Sequence, residues 1–470
     1  MLFRRKNNHS LPVPKEAPSL GRQTRDWTKG SILGNLCGLW WPMAVSSLVE
    51  TLGPTVDMIW VAKLGAAAVA SVGVAGTAVM LVNATRQGLN TSLKALISRS
   101  VGAGNIQEAQ HAVQQAVIIS VLFAIVCAII GIFFSEAILR LLGVEPDVIR
   151  IGASYMRIQF VGSIFMSLAM MVRGTMQASG DSVTPMKLVI ATRIIHVCLC
   201  PFLIFGWWFF PRLETNGAAI TSIIAEGMVG AGIGLWILFT GGTRVRLTLR
   251  NFRFDGNMIW RMVKIGIPSS INGMERNLAS FLVLWFIAPF GTVAVAGHYL
   301  VNRVSNFVHM PGAGLGQAAG VLAGQNLGAK QPERAERTAW LSASLYTFAM
   351  VISSLAVWFW AENLVRIFNT EPSLVEITSS FLRIELVSYL LFGFTMVVSD
   401  CLNGVGDTLT VMIITLITMW GVQMPLAYLL PRVTNLGVYG IRWALVTGMV
   451  VRAITYIIYF KTGRWKRKQV

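Results

Sequence analysis

Residues 178–185 read Ala178-Ser179-Gly180-Asp181-Ser182-Val183-Thr184-Pro185, and the Gly180-Asp181 pair returns 226 residues later as Gly406-Asp407. The same displacement sets Pro42 on Pro268, Gly65 on Gly291, Gly102 on Gly328, Glu145-Pro146 on Glu371-Pro372 and Arg157 on Arg383. Beyond Asp181 the register drops to 220, where Pro211-Arg212 meets Pro431-Arg432 and Gly217 meets Gly437. A displacement held from residue 42 to residue 181 marks a duplicated chain. In a membrane protein, two related halves point to a transporter with its site between them.

Composition places the chain in a membrane. Of 470 residues, 54% are hydrophobic and only 13% charged, with mean hydropathy +0.62. A soluble domain carries about 25% charged residues. Twelve apolar runs recur, near 33–60, 66–90, 110–134, 152–175, 186–206 and 217–240, then 266–289, 293–322, 338–360, 378–402, 409–430 and 437–460. Each can cross a hydrocarbon layer of ~30 Å, which takes about 20 helical residues. A barrel would need alternating strands of about 10 residues instead. The expected fold is all-α and polytopic, with twelve transmembrane helices in two six-helix repeats. Six spans per half return each half to its starting side, so the repeats run parallel. The domains predicted are a basic tail over 1–31, an N-lobe over 32–240, a linker over 241–264, a C-lobe over 265–460 and a second basic tail over 461–470.

The net charge of +18 is a matter of topology. Basic residues collect in the N-terminal tail (Arg4, Arg5, Lys6, Lys15, Arg22, Arg25, Lys29), the linker (Arg244, Arg246, Arg250, Arg253, Arg261, Lys264) and the C-terminal tail (Lys461, Arg464, Lys466, Arg467, Lys468). All three fall on one side, which the charge rule assigns to the cytoplasm for a protein of the cell (inner) membrane. Anionic lipid head groups are the expected partners, and nucleic acid is not. The five cysteines lie in or beside apolar spans, which offers no disulfide framework. Gly102–Ala109 and Gly328–Ala335 are read as turns into polar helix starts, and no nucleotide-binding motif follows a strand.

Charges inside spans are costly, by about 2.5–3.5 kcal/mol on insertion scales, and mark function or pairing. Asp57 lies four residues from the end of its run, about 6 Å deep at 1.5 Å per residue. Ser222 and Glu226 share one helix face, as do His196 and Cys200. By depth, Asp57, Cys200, Ser222 and Glu226 can cluster in the outer half of the N-lobe with His196 below them. Two acids and a histidine form a proton relay. Na⁺ would want more neutral oxygens than Thr221 and Ser222 supply, so H⁺ is favoured over Na⁺ as coupling ion. A helix turns Cys198 about 200° away from His196, so no metal site and no cofactor are expected. Glu50 and Glu275 occupy nearly matching places in the two halves and are expected, with Arg276, at the cleft between lobes. A structural pairing of Glu275 with Arg276, Arg86, Arg193 or Arg303 is the competing reading.

Several motifs carry a family resemblance over residues ~32–460: Pro42 with Val56-Asp57 ahead of Leu64-Gly65, Gly102-x-Gly104-x-x-x-Glu108-Ala109, Ala178-Ser179-Gly180-Asp181-x-x-Thr184-Pro185 and Gly324-Gln325-Asn326-Leu327-Gly328. With them the chain resembles the multidrug and toxic compound extrusion (MATE) family of prokaryotic type. The resemblance implies a V-shaped pair of six-helix bundles and secondary efflux of organic cations or amphiphilic small molecules, exchanged for H⁺ or Na⁺ by alternating access. It also implies a coupling carboxylate in the first span at the position of Asp57. The family's fifth-span Asn-x-x-x-Asp-Pro reads His196-x-x-x-Cys200-Pro201 here, and its tenth-span acid falls on Phe392. Its seventh-span glutamate is matched one position early by Glu275, with Arg276 in its place. The expected protein is a monomer and not an enzyme. A lipid-linked precursor flippase of the same superfamily and a membrane-embedded transferase are the alternatives.

Overall fold

A computed structural model describes residues 25–248 and 252–468. Most of the expected N-terminal tail, Arg250 of the linker and the last two residues of the C-terminal tail lie outside the described residues. The described chain is helical throughout. In order, the passes are α1 (Ile32–Ala62), α2 (Ala66–Gly102), α3 (Ile106–Leu141), α4 (Pro146–Val161 and Ser163–Ser179), α5 (Val183–Phe205) and α6 (Thr215–Thr240). The second set is α7 (Gly256–Ile287), α8 (Thr292–Gly328), α9 (Pro332–Arg366), α10 (Pro372–Gly404), α11 (Thr408–Val433) and α12 (Val438–Lys461). Among the described residues nine are long and apolar enough to cross a membrane by themselves, or ten counting the bent α4. The other two, α7 and α8, are diluted by Arg261, Lys264, Glu275 and Arg276 and by His298, Asn302, Arg303 and His309. They hold the places of α1 and α2 in the second repeat.

Local chemistry sets the boundaries. Asn105 caps α3 by accepting from the Glu108 amide, and Pro146, Pro332 and Pro372 each open a helix where no amide donor is needed. Gly180 ends α4 at φ 98°, which only glycine adopts without strain. The two parts of α4 meet at 45° across Gly162, whose missing Cβ leaves room for the Ile223 side chain. The equivalent place in the unbroken α10 is Ser388. Helix α7 begins at Gly256, inside the expected linker. Asp255 caps it through the Asn257 and Met258 amides while His111 of α3 approaches its Oδ2 at 3.1 Å. The Met258 amide and then His111 hold the Asp255 carboxyl below the usual carboxylate range. This capping is therefore complete above about pH 4 and lost as pH falls through the lowered value.

The face bearing both described termini is closed. Helix α1 packs on both α5 and α8, and α7 on both α2 and α11, so the first helix of each repeat reaches into the other lobe. Glycines bring backbones together there. A Cβ on Gly102 would clash with the Gln325 carbonyl, one on Gly328 with the Arg99 carbonyl, and one on Gly314 with the Ala44 backbone. Ser270 donates to the Thr85 carbonyl at 3.2 Å, Gln325 to Ala178 at 2.8 Å and Arg99 to Val405 at 3.2 Å. Among the described residues, the hydrogen bonds between lobes all lie in this half of the molecule. Toward the opposite face the cores separate, one around Val61, Met156 and Cys200 and the other around Ile287, Phe381 and Tyr389. The cleft opens away from the termini.

The ends of the chain reinforce that closure. Trp27 packs against Gly38 and Gly180, and the Gly30 carbonyl accepts from Arg334 of α9 at 2.8 Å. At the other end Trp465 is 1% exposed and stacks on Phe460, while Lys468 reaches Asp407 at 2.8 Å and its carbonyl accepts from Arg99 of the N-lobe. The described parts of the two expected tails are docked straps.

If the glycine contacts hold the terminal face shut, a branched side chain at Gly102 opens it. With Ser98→Cys as reporter in a cysteine-free background, Gly102→Val should raise labelling by a water-soluble maleimide about fivefold, a shift near 1 kcal/mol. Unchanged labelling would mean that the seal lies elsewhere.

Candidate functional site

Asp57 sits on the last two turns of α1, 9% exposed, against α5. A carboxylate in an apolar bundle needs donors, and α5 and α6 supply them. The imidazole Nε2 of His196, fully buried, lies 3.1 Å from Asp57 Oδ1, and the Cys200 thiol donates to the same oxygen at 3.4 Å. The four-residue spacing of His196 and Cys200 stacks both on the face of α5 that meets α1. Ser222 of α6 lies 3.1 Å from the same Nε2, and its hydroxyl donates to the Ala218 carbonyl. Nδ1 of His196 is buried with no partner. Both contacts of the ring are thus made through Nε2, which faces Asp57 and Ser222. Tyr155 of α4 is within electrostatic range of Asp57. The side chains that contact Asp57 are thus an imidazole and a thiol, and among the described residues no arginine or lysine pairs with it.

Glu226 does not join this cluster. It begins a π-helical stretch, Glu226–Ile233, within α6, a local irregularity that recurs at functional sites. Its carboxylate accepts from Arg173 of α4 at 2.8 Å and lies 3.7 Å from Arg193 of α5. Arg173 also pairs with Glu50 of α1 at 3.6 Å, so two acids and two arginines form one network from four helices. Arg193 lies over Gly53 of α1, where a Cβ would clash with its guanidinium. Glu50 is thus tied into the N-lobe and only half-exposed. The two acids and the histidine expected together are divided between an Asp57–His196–Cys200 site and an arginine-paired site at Glu226.

The C-lobe residues stand apart. Glu275 is 6% exposed with Oε1 unpartnered, and Arg276 beside it is exposed. None of the pairings proposed for Glu275 is formed among the described residues: Arg86 binds Asn83 and Ser167, Arg193 faces Glu226, and Arg303 lies over the Phe307 ring. Cys198 is exposed and Cys200 buried, so the two do not converge. The sequence reading missed Arg173, Lys94 and Asp400. The signal for Arg173 was available, since a cation inside the apolar run 152–175 demands an acid. Lys94 lies past the run 66–90 and Asp400 near the end of 378–402, so both read as boundary residues until α2 and α10 are seen to continue.

Comparison with known proteins places this geometry. The family profile described as MatE matches residues 42–202 and 268–429, more than half of the chain and once per repeat. A probable multidrug resistance protein, YoeA of Bacillus subtilis, is 28% identical over 438 residues, covering 91% of this chain and 93% of its own length. An FAD transporter of Shewanella oneidensis is 24% identical over 404 residues, covering 86% of this chain and 88% of its own. Among solved structures, a multidrug resistance MATE family transporter of the MOP superfamily in an outward-facing conformation matches with TM-score 0.87 at 21% identity. It covers 95% of this chain and 99% of that one.

The Arg173 network yields a stability test. Arg173→Met leaves the buried Glu226 with only the longer Arg193 contact and the half-exposed Glu50 without its partner, and removing one partner of a buried pair costs up to about 3–5 kcal/mol. Thermal unfolding in detergent should show most of that loss restored in Arg173→Met/Glu226→Gln. Additive losses in the double variant would show that the network is not coupled.

Proposed function

The chain belongs to the MatE family, and from that premise we propose that it exports amphiphilic organic cations by H⁺-coupled antiport. The observation that carries the proposal is the Asp57 site. A buried carboxylate of the first helix meets an imidazole and a thiol, a serine hydroxyl backs the imidazole, and among the described residues no lysine or arginine lies within ion-pair distance of it. Such a group can take up and release a proton as its surroundings change, which a carboxylate bound to arginine does at far greater cost. Its neighbours supply nitrogen and sulfur where Na⁺ would want several oxygens. Glu226 and Glu50, held by Arg173, position α1, α4, α5 and α6 around it. Glu275 and Arg276 remain cleft candidates.

In this reading the protein is a monomer in the cell membrane with both termini in the cytoplasm. The excess of Lys and Arg in the tails and linker supports that orientation. Small molecules and lipids are its partners. Its relatives carry the names of transporters, which supports transport in place of catalysis. The alternative of a lipid-linked precursor flippase wants a strongly cationic cleft, and Arg86 and Arg193 are already engaged within the N-lobe.

Proteoliposomes test the reading. With an imposed pH gradient and no Na⁺, ethidium should be moved against its gradient, and Asp57→Asn should lower the rate at least tenfold, about 1.4 kcal/mol or more. Transport that requires Na⁺ and ignores the pH gradient would replace H⁺ with Na⁺. Equal ethidium movement by wild type and Asp57→Asn would remove Asp57 from the coupling step.

A further inference from the structure

At the floor of the cleft, one charge from each lobe faces a common recess. Lys94 comes from α2 and Asp400 from α10, and the recess encloses about 510 Å³ including its mouth. Gln87, Asn90, Thr91, Gln317 and Asn403 give it a polar wall. The Lys94 ammonium donates to the neutral Gln317 amide oxygen at 3.2 Å. The Asp400 carboxylate forms no hydrogen bond or ion pair among the described residues. It is accommodated by Gly316, where a Cβ would clash with Asp400 Oδ2. Both side chains are partly exposed into the recess.

The nearby charges do not neutralise this pair. Glu50 and Arg173 lie within electrostatic range of Lys94 but are bound to each other at 3.6 Å. Arg276 lies within electrostatic range of Asp400 but beyond ion-pair distance. A cavity that keeps an ammonium and a carboxylate apart is complementary to a molecule carrying both charges. A simple cation would satisfy Asp400 yet set a like charge near Lys94, and a simple anion would do the reverse. A zwitterion satisfies both, and burial makes the difference large because an uncompensated charge is costly away from water.

We propose that this recess is a composite subsite for zwitterionic amphiphiles, with Asp400 receiving the cationic group and Lys94 the carboxylate. It deepens the efflux reading and rests on it. Because each lobe contributes one charge, the subsite exists only while α2, α8 and α10 meet as they do here.

Rhodamine B and its ethyl ester share one cationic ring system and differ in whether the carboxylate is free or masked. Equilibrium dialysis against the full chain in detergent should show rhodamine B binding about tenfold more tightly than the ester, close to 1.4 kcal/mol. Lys94→Met should bring that ratio near one while ester affinity holds or improves. Asp400→Asn should weaken both dyes. Gln317→Leu, which breaks the same inter-lobe hydrogen bond and keeps the charge, should preserve the preference and so separates charge recognition from altered packing. Equal affinities in wild type, or an unchanged ratio in Lys94→Met, would overturn the subsite. Ethidium export in parallel proteoliposomes separates the two failures: export without dye preference sinks the subsite alone, and no export sinks the efflux reading as well.

Discussion

A charge within an apolar bundle must be neutralised, shared or kept in contact with water, and the N-lobe answers this demand in two different ways. Glu226 is bound by two arginines from neighbouring helices. Asp57 instead meets an imidazole and a thiol, with a serine hydroxyl behind the imidazole. The two acids lie on adjacent helices of one lobe, so the difference between them comes from their partners and not from burial. One acid ties four helices together, and the other is the one to which the proposed function assigns the proton.

The duplicated lobe places different residues at the corresponding positions. In the 220-residue register Ser222 falls on Arg442, and in the 226-residue register Gln159 falls on Glu385. Arg442 is 1% exposed, pairs with Glu385 at 3.2 Å and reaches His298 Nδ1 at 2.9 Å. The C-lobe chamber thus contains an arginine–glutamate ion pair where the N-lobe holds a carboxylate against an imidazole and a thiol. Removing either member would leave a buried charge alone, which makes this pair a poor place to load and unload a proton. The repeats share a fold while their chambers have taken up different chemistry.

Hydropathy made the twelve passes legible, and the repeat made their arrangement legible, because both properties are set locally along the chain. The Asp57 site was partly legible for the same reason: a four-residue spacing fixes a helix face whatever the fold. Glu226 was placed in the wrong company because its partner Arg173 lies 53 residues away on α4, and only packing decides which helix that arginine faces. The bend in α4 needed the Ile223 side chain against Gly162, a contact that no pattern within 146–179 announces. Lys94 and Asp400 were hidden by the habit of ending a span where apolarity ends. The helices run on past the hydrocarbon-like run to Gly102 and Gly404, and the inter-lobe floor is built from those extensions.

For proton binding to bias the lobes, the proton must be held with different affinity in the two arrangements, since a ligand with equal affinity for both shifts nothing. Helix α1 is placed to create that difference. Its first part packs with Leu315 and Leu322 of the C-lobe, while Asp57 near its end belongs to the N-lobe. Pro54 lies between them, and a proline inside a helix leaves the carbonyl four residues earlier, here Glu50, without its amide donor. The helix is weakest where it passes from one lobe's packing to the other's. In the proposed antiport, movement of the lobes would load that joint, and the Asp57–His196 contact at 3.1 Å begins three residues beyond it. A one-unit change in carboxylate pKa is worth about 1.4 kcal/mol, comparable to one or two of the hydrogen bonds that close the terminal face. Under the proposed H⁺ antiport, a displacement at Asp57 of that size would suffice to offset one or two of those contacts.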